Sequence, residues 1–231
     1  MKKNKGTTYK AKAWIIILLL PITITVYVLL IIGWNELRKI PVVLEWAESI
    51  HIKSFSQEKL DIPEEYIAIY QEAGEIYGVP WTLLAAHHRI ETIFSTMDPL
   101  LSPVGAEGHM QFMPCTFVGW SHPSCNGLGQ GDIPDEDKVN PAIIEAYGGY
   151  GVDANGDGIA DPYDIEDAIF SAANYLAASG AADGELEKAI FNYNRSDKYV
   201  EDVLYFYNLY ESQLQALQAA SALQTEKKDG P

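Results

Sequence analysis

The chain has 231 residues, of which 32 are acidic and 16 basic, giving a formal net charge of −16, and 48% are hydrophobic. The hydrophobic fraction is ample for a core and excludes a disordered chain, and the length allows one ordinary domain with accessories. Strong acidity argues against a nucleic-acid partner, because a phosphate backbone would be repelled.

The first 13 residues carry Lys2, Lys3, Lys5, Lys10 and Lys12 with no acid among them. Residues 14 to 33, WIIILLLPITITVYVLLIIG, follow as an unbroken apolar run. Twenty residues at roughly 1.5 Å each give about 30 Å, the thickness of a bilayer's hydrocarbon layer. A cleaved signal peptide would have a shorter core and a small-residue cleavage site, and the run ends instead in Gly33-Trp34-Asn35-Glu36. The expectation is a transmembrane signal anchor at 14–33. The positive-inside rule keeps the basic tail, 1–13, in the cytoplasm and puts all later residues outside.

Residues 34 to 60 read as a stalk, and the folded domain is expected over 61–212. PEEYIAIYQEAGEIYG places Tyr66, Tyr70, Ala73 and Tyr77 on one helical stripe that Gly78 ends. VPWTLLAAHHRIE follows as a helix opened by Pro80. Loop-like sequence runs over 95 to 110, a short helix starts near Pro114, and a Gly-rich acidic loop spans 121 to 140. AIIEAY, DIEDAIFSAANYLAASG, GELEKAIFNYN and SDKYVEDVLYFYNLYESQL predict further helices, the last from a Ser-Asp cap. No long strand alternation occurs, so the fold class is mostly α. Residues 213–231 are Gln- and Ala-rich and read as a frayed tail.

Cys115 and Cys125, outside in an oxidising compartment and ten residues apart, are expected to form a disulfide. Two unpaired buried thiols are the alternative; zinc is disfavoured because only His122 stands nearby.

Residues 153 to 164, DANGDGIADPYD, have the spacing of an EF-hand loop. Asp153, Asn155 and Asp157 occupy positions 1, 3 and 5, with Gly158 at 6, the Ile159 carbonyl at 7 and Asp161 at 9. Asp164 stands at position 12, where a bidentate glutamate is usual. Structural calcium is the expected cofactor, and no organic cofactor is called for. A turn that binds nothing is the alternative.

On the VPWTLLAAHHRIE helix, Leu84, His87, His88 and Glu91 fall at i, i+3, i+4 and i+7, on one face. A glutamate on a buried face is costly when ionised. Pairing with Arg89 or a histidine would explain it on the helix pattern alone. The adjacent histidines have the wrong spacing for a shared metal and read as packing or polar groups.

Glu91, the block SPVGAEGHMQFMP at 102 to 114, and Tyr193-Asn194 together resemble the lytic transglycosylases. The resemblance runs from about 63 to 205, and the calcium-like loop before a helix is similar to the membrane-bound type B subgroup. Thr92 stands where serine is usual and Asn192 where alanine is usual. The family implies a lysozyme-like fold, here behind one transmembrane helix, in the bacterial cell membrane with the catalytic domain outside. Its implied substrate is the peptidoglycan glycan strand, cut between N-acetylmuramic acid and N-acetylglucosamine. Glu91 would act as general acid and then as base on the 6-hydroxyl, closing a 1,6-anhydro ring without a second carboxylate. Asp98, seven residues on, has nothing to single it out. Ser102, Gln111 and Met113 would wall the scissile bond. Tyr193 and Asn194 would lie across the groove, with Tyr193 hydrogen-bonding near Glu91. A hydrolytic muramidase on the same fold and a non-catalytic, calcium-stabilised wall-binding module are the alternatives.

Overall fold

The computed structural model describes Tyr27 and residues 60–228. The basic tail, the apolar run and nearly all of the stalk therefore lie outside the described residues, Tyr27 excepted. The described part of the unit that begins at Lys59 contains eight α-helices and one 3-10 turn, Ala181–Asp183. Among the described residues the only β pairing is two isolated bridges, Leu101 with Glu107 and Glu107 with Phe112. This mostly helical architecture fits the lysozyme-like α class.

Helix α1 (Glu64–Tyr77) and helix α2 (Trp81–Thr92) are joined by a tight corner. Gly78 caps α1 in the left-handed region at φ 69°, a conformation that costs glycine nothing. At Gly74 a Cβ would meet the Val79 carbonyl oxygen at 2.7 Å, so the corner closes only over glycine.

The seven consecutive residues from Thr82 to His88 are all buried. An amphipathic stripe would bury about half of them; a helix buried all round is one surrounded by others. Helix α2 packs against α1 and against α8 (Asp197–Lys228), with a smaller contact to α6 (Ile165–Ala178), which itself packs on α1. Helix α8 runs alongside α2 in the opposite direction. Tyr199 meets Glu91 near one end, and Thr82 donates to Glu211 (2.5 Å) near the other. The one-sided reading of α2 is thus incomplete, because three partners share its circumference.

Shorter helices complete the fold: α3 (Pro114–Val118), α4 (Asp135–Lys138), α5 (Pro141–Tyr147) and α7 (Leu186–Tyr193). On α6, Ile169, Ala172 and Leu176 are wholly buried and Ile165 packs at their edge, a stripe at helical spacing. Helix α8 continues past residue 213 to Lys228, where the sequence reads as a tail. Cys115 and Cys125 are bonded to each other, with Cα atoms 5.6 Å apart. The bond ties α3 to the loop that follows it, and Cys115 N donates to the Gly129 carbonyl (2.8 Å) in the same loop.

Candidate active site

Helix α2 ends just beyond Glu91 in an unusual way. Ile93, Phe94 and Ser95 are all left-handed, at φ 49°, 55° and 65°, and such a conformation is strained for non-glycine residues, β-branched ones above all. Thr92 holds this turn: its hydroxyl donates to the His109 carbonyl (2.9 Å) and accepts the Ser95 N–H (3.0 Å). A chain of hydrogen bonds continues from there. His109 Nε2 meets the Tyr163 carbonyl (2.9 Å), an acceptor only, so that nitrogen carries the proton and Nδ1 accepts from Ser95 (2.6 Å). The Ser95 oxygen then accepts from His88 Nε2 (2.7 Å), whose Nδ1 accepts the Tyr70 hydroxyl (2.6 Å). Burial lowers the pKa of His88 to about 3, with His109 adding to the effect, so the chain stays neutral.

Around the end of α2 lies a groove of about 490 Å³, lined by Glu91, Ser102, Gln111, Met113, Tyr193 and Asn194, among others. The six residues are spread over more than 100 positions of the chain. Val104 and Leu128 add apolar wall, and Arg195 puts a cation in the lining. Ser102 Oγ accepts the Ala106 N–H (2.8 Å), which leaves its hydroxyl proton to donate. Gln111, itself left-handed at φ 50°, donates its amide NH₂ to the Gly108 carbonyl (2.7 Å). Its amide oxygen remains as an acceptor. Asp98 is exposed and is not part of this lining.

Glu91 has one strong partner, the Tyr199 hydroxyl, which donates to Oε1 at 2.5 Å. Burial pushes the carboxyl up from its ordinary 4.5 to about 7, and the Tyr199 bond pulls the other way. Arg89 does not neutralise it. That guanidinium pairs with Asp61 (2.5 Å) and lies over the Phe206 ring, 4.3 Å from its centroid.

Tyr193 behaves differently from the sequence expectation. Its hydroxyl donates to the Met110 carbonyl (2.8 Å), not to Glu91. Its ring stands parallel to that of Tyr199, with centroids 6.5 Å apart, and packs on His87 at 4.9 Å. Helix α7 ends at Tyr193, whereas Tyr199 sits in the first turn of α8, and the packing of α8 along α2 brings the second phenol to the acid. Nothing local in SDKYV distinguishes Tyr199 from the chain's other tyrosines, so sequence reasoning passed over it. Arg195 was missed in the same way.

A second cavity, about 300 Å³, is lined by Glu107, Lys138, Asp161 and Tyr163 among others. It holds the Glu107–Lys138 ion pair (3.0 Å). The acid there is paired with a cation, whereas Glu91 is buried against a phenol, so the groove at Glu91 is the better candidate for proton transfer.

Residues 153–164 form a loop closed by its own side chains. Asp153 accepts the N–H groups of Gly156 (2.8 Å), Asp157 (3.1 Å) and Gly158 (2.9 Å). Asn155 accepts from Asp157 (2.9 Å), Asp157 from Ile159 (2.9 Å), and Asp161 from Tyr163 (2.9 Å). Asp164 caps α6, accepting from Glu166 and Asp167. Asp167, not singled out in the sequence, is wholly buried and accepts from Ala154 (2.7 Å) and Asp161 (2.9 Å). Among the described residues no three or more Asp, Glu, His or Cys side chains gather as a metal site. The loop's carboxylate, amide and carbonyl oxygens are the hard donors that calcium takes, and each carboxylate keeps lone pairs beyond those the backbone uses.

Comparison with known proteins bears on this geometry. Residues 143–187 match the family model of the Transglycosylase SLT domain. The match covers the calcium-like loop, α6 and the start of α7, and leaves out Glu91 and the block from Ser102 to Pro114. Among curated proteins, an L-Ala--D-Glu endopeptidase of Bacillus subtilis (strain 168) is 26% identical over 162 residues. The alignment takes in 69% of this chain and 46% of that protein, so the chain spans less than half of that relative's length. No solved structure matches the chain significantly. Over residues 143–187 the chain is similar to a transglycosylase domain.

Proposed function

We propose that the groove is the active site of a membrane-anchored peptidoglycan lytic transglycosylase. The observation that carries this reading is Glu91: a carboxyl in a groove, bonded to a phenol and to no cation among the described residues, whose proton is retained up to about pH 7. A general acid works best with a pKa near the operating pH, and burial is the means by which a glutamate reaches it.

In the proposed reaction the Glu91 proton passes to the bridging oxygen between N-acetylmuramic acid and N-acetylglucosamine as the bond from that oxygen to C1 breaks. Positive charge develops at C1 and the ring oxygen. The Glu91 carboxylate, now steadied by the Tyr199 hydroxyl, takes the proton of the muramic acid 6-hydroxyl while that oxygen bonds to C1. The products are a 1,6-anhydro end and a free 4-hydroxyl, with the acid reset and no water consumed. Ser102 donates to the sugar, Gln111 accepts from it, and Met113 and the Tyr193 ring supply apolar wall.

The endopeptidase named in the comparison aligns over less than half its length, so its peptide-bond specificity is not transferred here. Mass spectrometry of digested peptidoglycan tests the reading. Anhydro ends are expected; hydrated ends would make the protein a muramidase, and intact strands with tight binding would make it a wall-binding module.

Two further parts of the proposal concern setting. Residues 14–33 anchor the chain in a bacterial cell membrane with the groove outside, which fractionation and protease protection of tagged cells would check. Asp153, Asn155, Asp157, the Ile159 carbonyl, Asp161 and Asp164 hold calcium, which would brace the loop against α6 and take no part in proton transfer.

A further inference from the structure

We infer that His87 is a positioning residue for the acid: by donating its Nδ1–H to Tyr199, it keeps the phenol's one proton directed at the Glu91 carboxylate. The inference deepens the proposed role of Glu91 and rests on it. His87 lies one helical turn before Glu91 on α2 and is wholly buried. Its Nδ1 is 2.9 Å from the Tyr199 oxygen, and that oxygen is 2.5 Å from Glu91 Oε1. The other ring nitrogen, Nε2, is buried with no hydrogen-bond partner among the described residues.

Counting protons decides the direction of each bond. Tyr199 has one O–H to give, and an ionised Glu91 can only accept. If that proton goes to Glu91, the phenol oxygen can meet His87 only as acceptor, so Nδ1 carries the imidazole hydrogen. Nε2 is then a bare lone pair. In the other tautomer, Nδ1 would compete with Glu91 for the phenol proton, and an N–H on Nε2 would be buried without an acceptor. Orphaned buried donors are rarer than under-satisfied acceptors, so the surroundings select the tautomer that serves Glu91. Burial lowers the His87 pKa to about 3, which keeps the ring neutral with a single hydrogen to place.

Among the described residues, the groups around this trio give it no ionic partner. From α7, Tyr193 packs against both rings, and its hydroxyl is committed to Met110. Arg195 lies in the groove lining and bonds to Asn192 (2.9 Å). On α2 itself, His88 turns to Tyr70 and Ser95, and Arg89 to Asp61 and Tyr210. Without the His87 donor the phenol can rotate, the carboxylate loses its bond for part of the time, and Glu91 holds its proton to higher pH.

The test follows the Glu91 carboxyl by ¹³C NMR in the full-length chain labelled at the glutamate side chains, the signal being assigned by its loss in Glu91→Gln. His87→Phe keeps the ring's bulk without a donor, and His87→Asn offers an amide N–H near the Nδ1 position. His87→Phe is expected to raise the titration midpoint by about one pH unit, a tenfold change in the ionisation equilibrium. His87→Asn should stay near wild type, and Tyr199→Phe should rise at least as far as His87→Phe. The double variant should go no further than Tyr199→Phe alone, since His87 acts through that phenol. The alkaline limb of cleavage should move with the midpoint. If packing were the only role of His87, Phe would be the mild change and Asn the severe one. That order, or an unmoved midpoint in His87→Phe, overturns the inference. Should His87→Phe not fold, His87→Leu, also without a donor, carries the same expectation. The titration needs no substrate, so failure of the glycan reading would show separately, as wild-type protein that titrates normally and cleaves nothing.

Discussion

Two sets of carboxylates in this molecule sit in contrasting surroundings. Glu91 stands at the end of a buried helix and receives one hydrogen bond, from a phenol. The acids of the 153–164 loop receive backbone N–H groups, three at Asp153 alone. Backbone donors favour the ionised form, whereas burial with a single donor favours the protonated form. Asp167 separates the two influences, because it is as buried as any core residue and yet accepts from Ala154, Asn155 and Asp161. Burial raises its pKa and the N–H bonds oppose the rise. At Asp167 burial remains the larger influence and the pKa still rises, so the backbone donors oppose burial without cancelling it.

The largest expected effect comes from removing the acid. Glu91→Gln should lower peptidoglycan cleavage by about 10²–10⁴-fold, the usual worth of a general acid. Its stability should move the other way. With a folded pKa near 7 against an ordinary 4.5, the wild type has its full contribution from this group below about pH 4.5 and loses it as pH rises through 7. The glutamine variant has no such loss, and should gain on the order of 2–3 kcal/mol relative to wild type between pH 5 and 8. Urea titrations at the two pH values would check it, and equal slopes with pH for both proteins would break the contrast.

Next in size is Asp167→Ala, which strips an acceptor from three loop N–H groups inside the fold. A loss of about 2–4 kcal/mol is expected, with amide exchange quickening first over residues 153–164. An unchanged denaturation midpoint would mean that Asp167 does not hold the loop.

Chelation probes the loop acids more gently. Calcium at 100 times its dissociation constant should add about 2.7 kcal/mol by mass action, and Asp153→Ala should abolish most of that response in a thermal melt. Melting indifferent to EDTA and to millimolar calcium would reduce the loop to a self-bonded turn. The smallest effect is reserved for Asp98→Ala. That residue is exposed and outside the groove lining, so activity should stay within about twofold, as expected for a surface change. A loss of a hundredfold would bring a second carboxylate into the reaction.

Much of the scaffold was legible in one dimension because it rests on local rules. The Tyr70 and Ala73 stripe, the left-handed Gly78 and the Ile169, Ala172, Leu176 stripe are set by helical period and cap chemistry within a few residues. The continuation of α8 to Lys228 was not legible, since Gln and Ala in that segment are good helix formers but carry no apolar stripe to announce one. The left-handed run at Ile93–Ser95 was equally hidden, because isoleucine and phenylalanine give no local signal for it. It is sustained from outside by Thr92, His88 and His109.

By itself the sequence determined that a glutamate sits on the face of a buried helix and that Ser102, Gln111 and Met113 come in one block beside it. Helical period and chain proximity are enough for both. The tertiary structure alone decided which hydroxyl serves that glutamate. Tyr193 and Tyr199 lie six residues apart and are chemically alike, but one ends α7 and bonds to Met110, while the other begins α8 and bonds to Glu91. That choice depends on how α8 lies along α2, a contact spanning 108 residues of chain, and packing of whole helices rather than any local preference sets it.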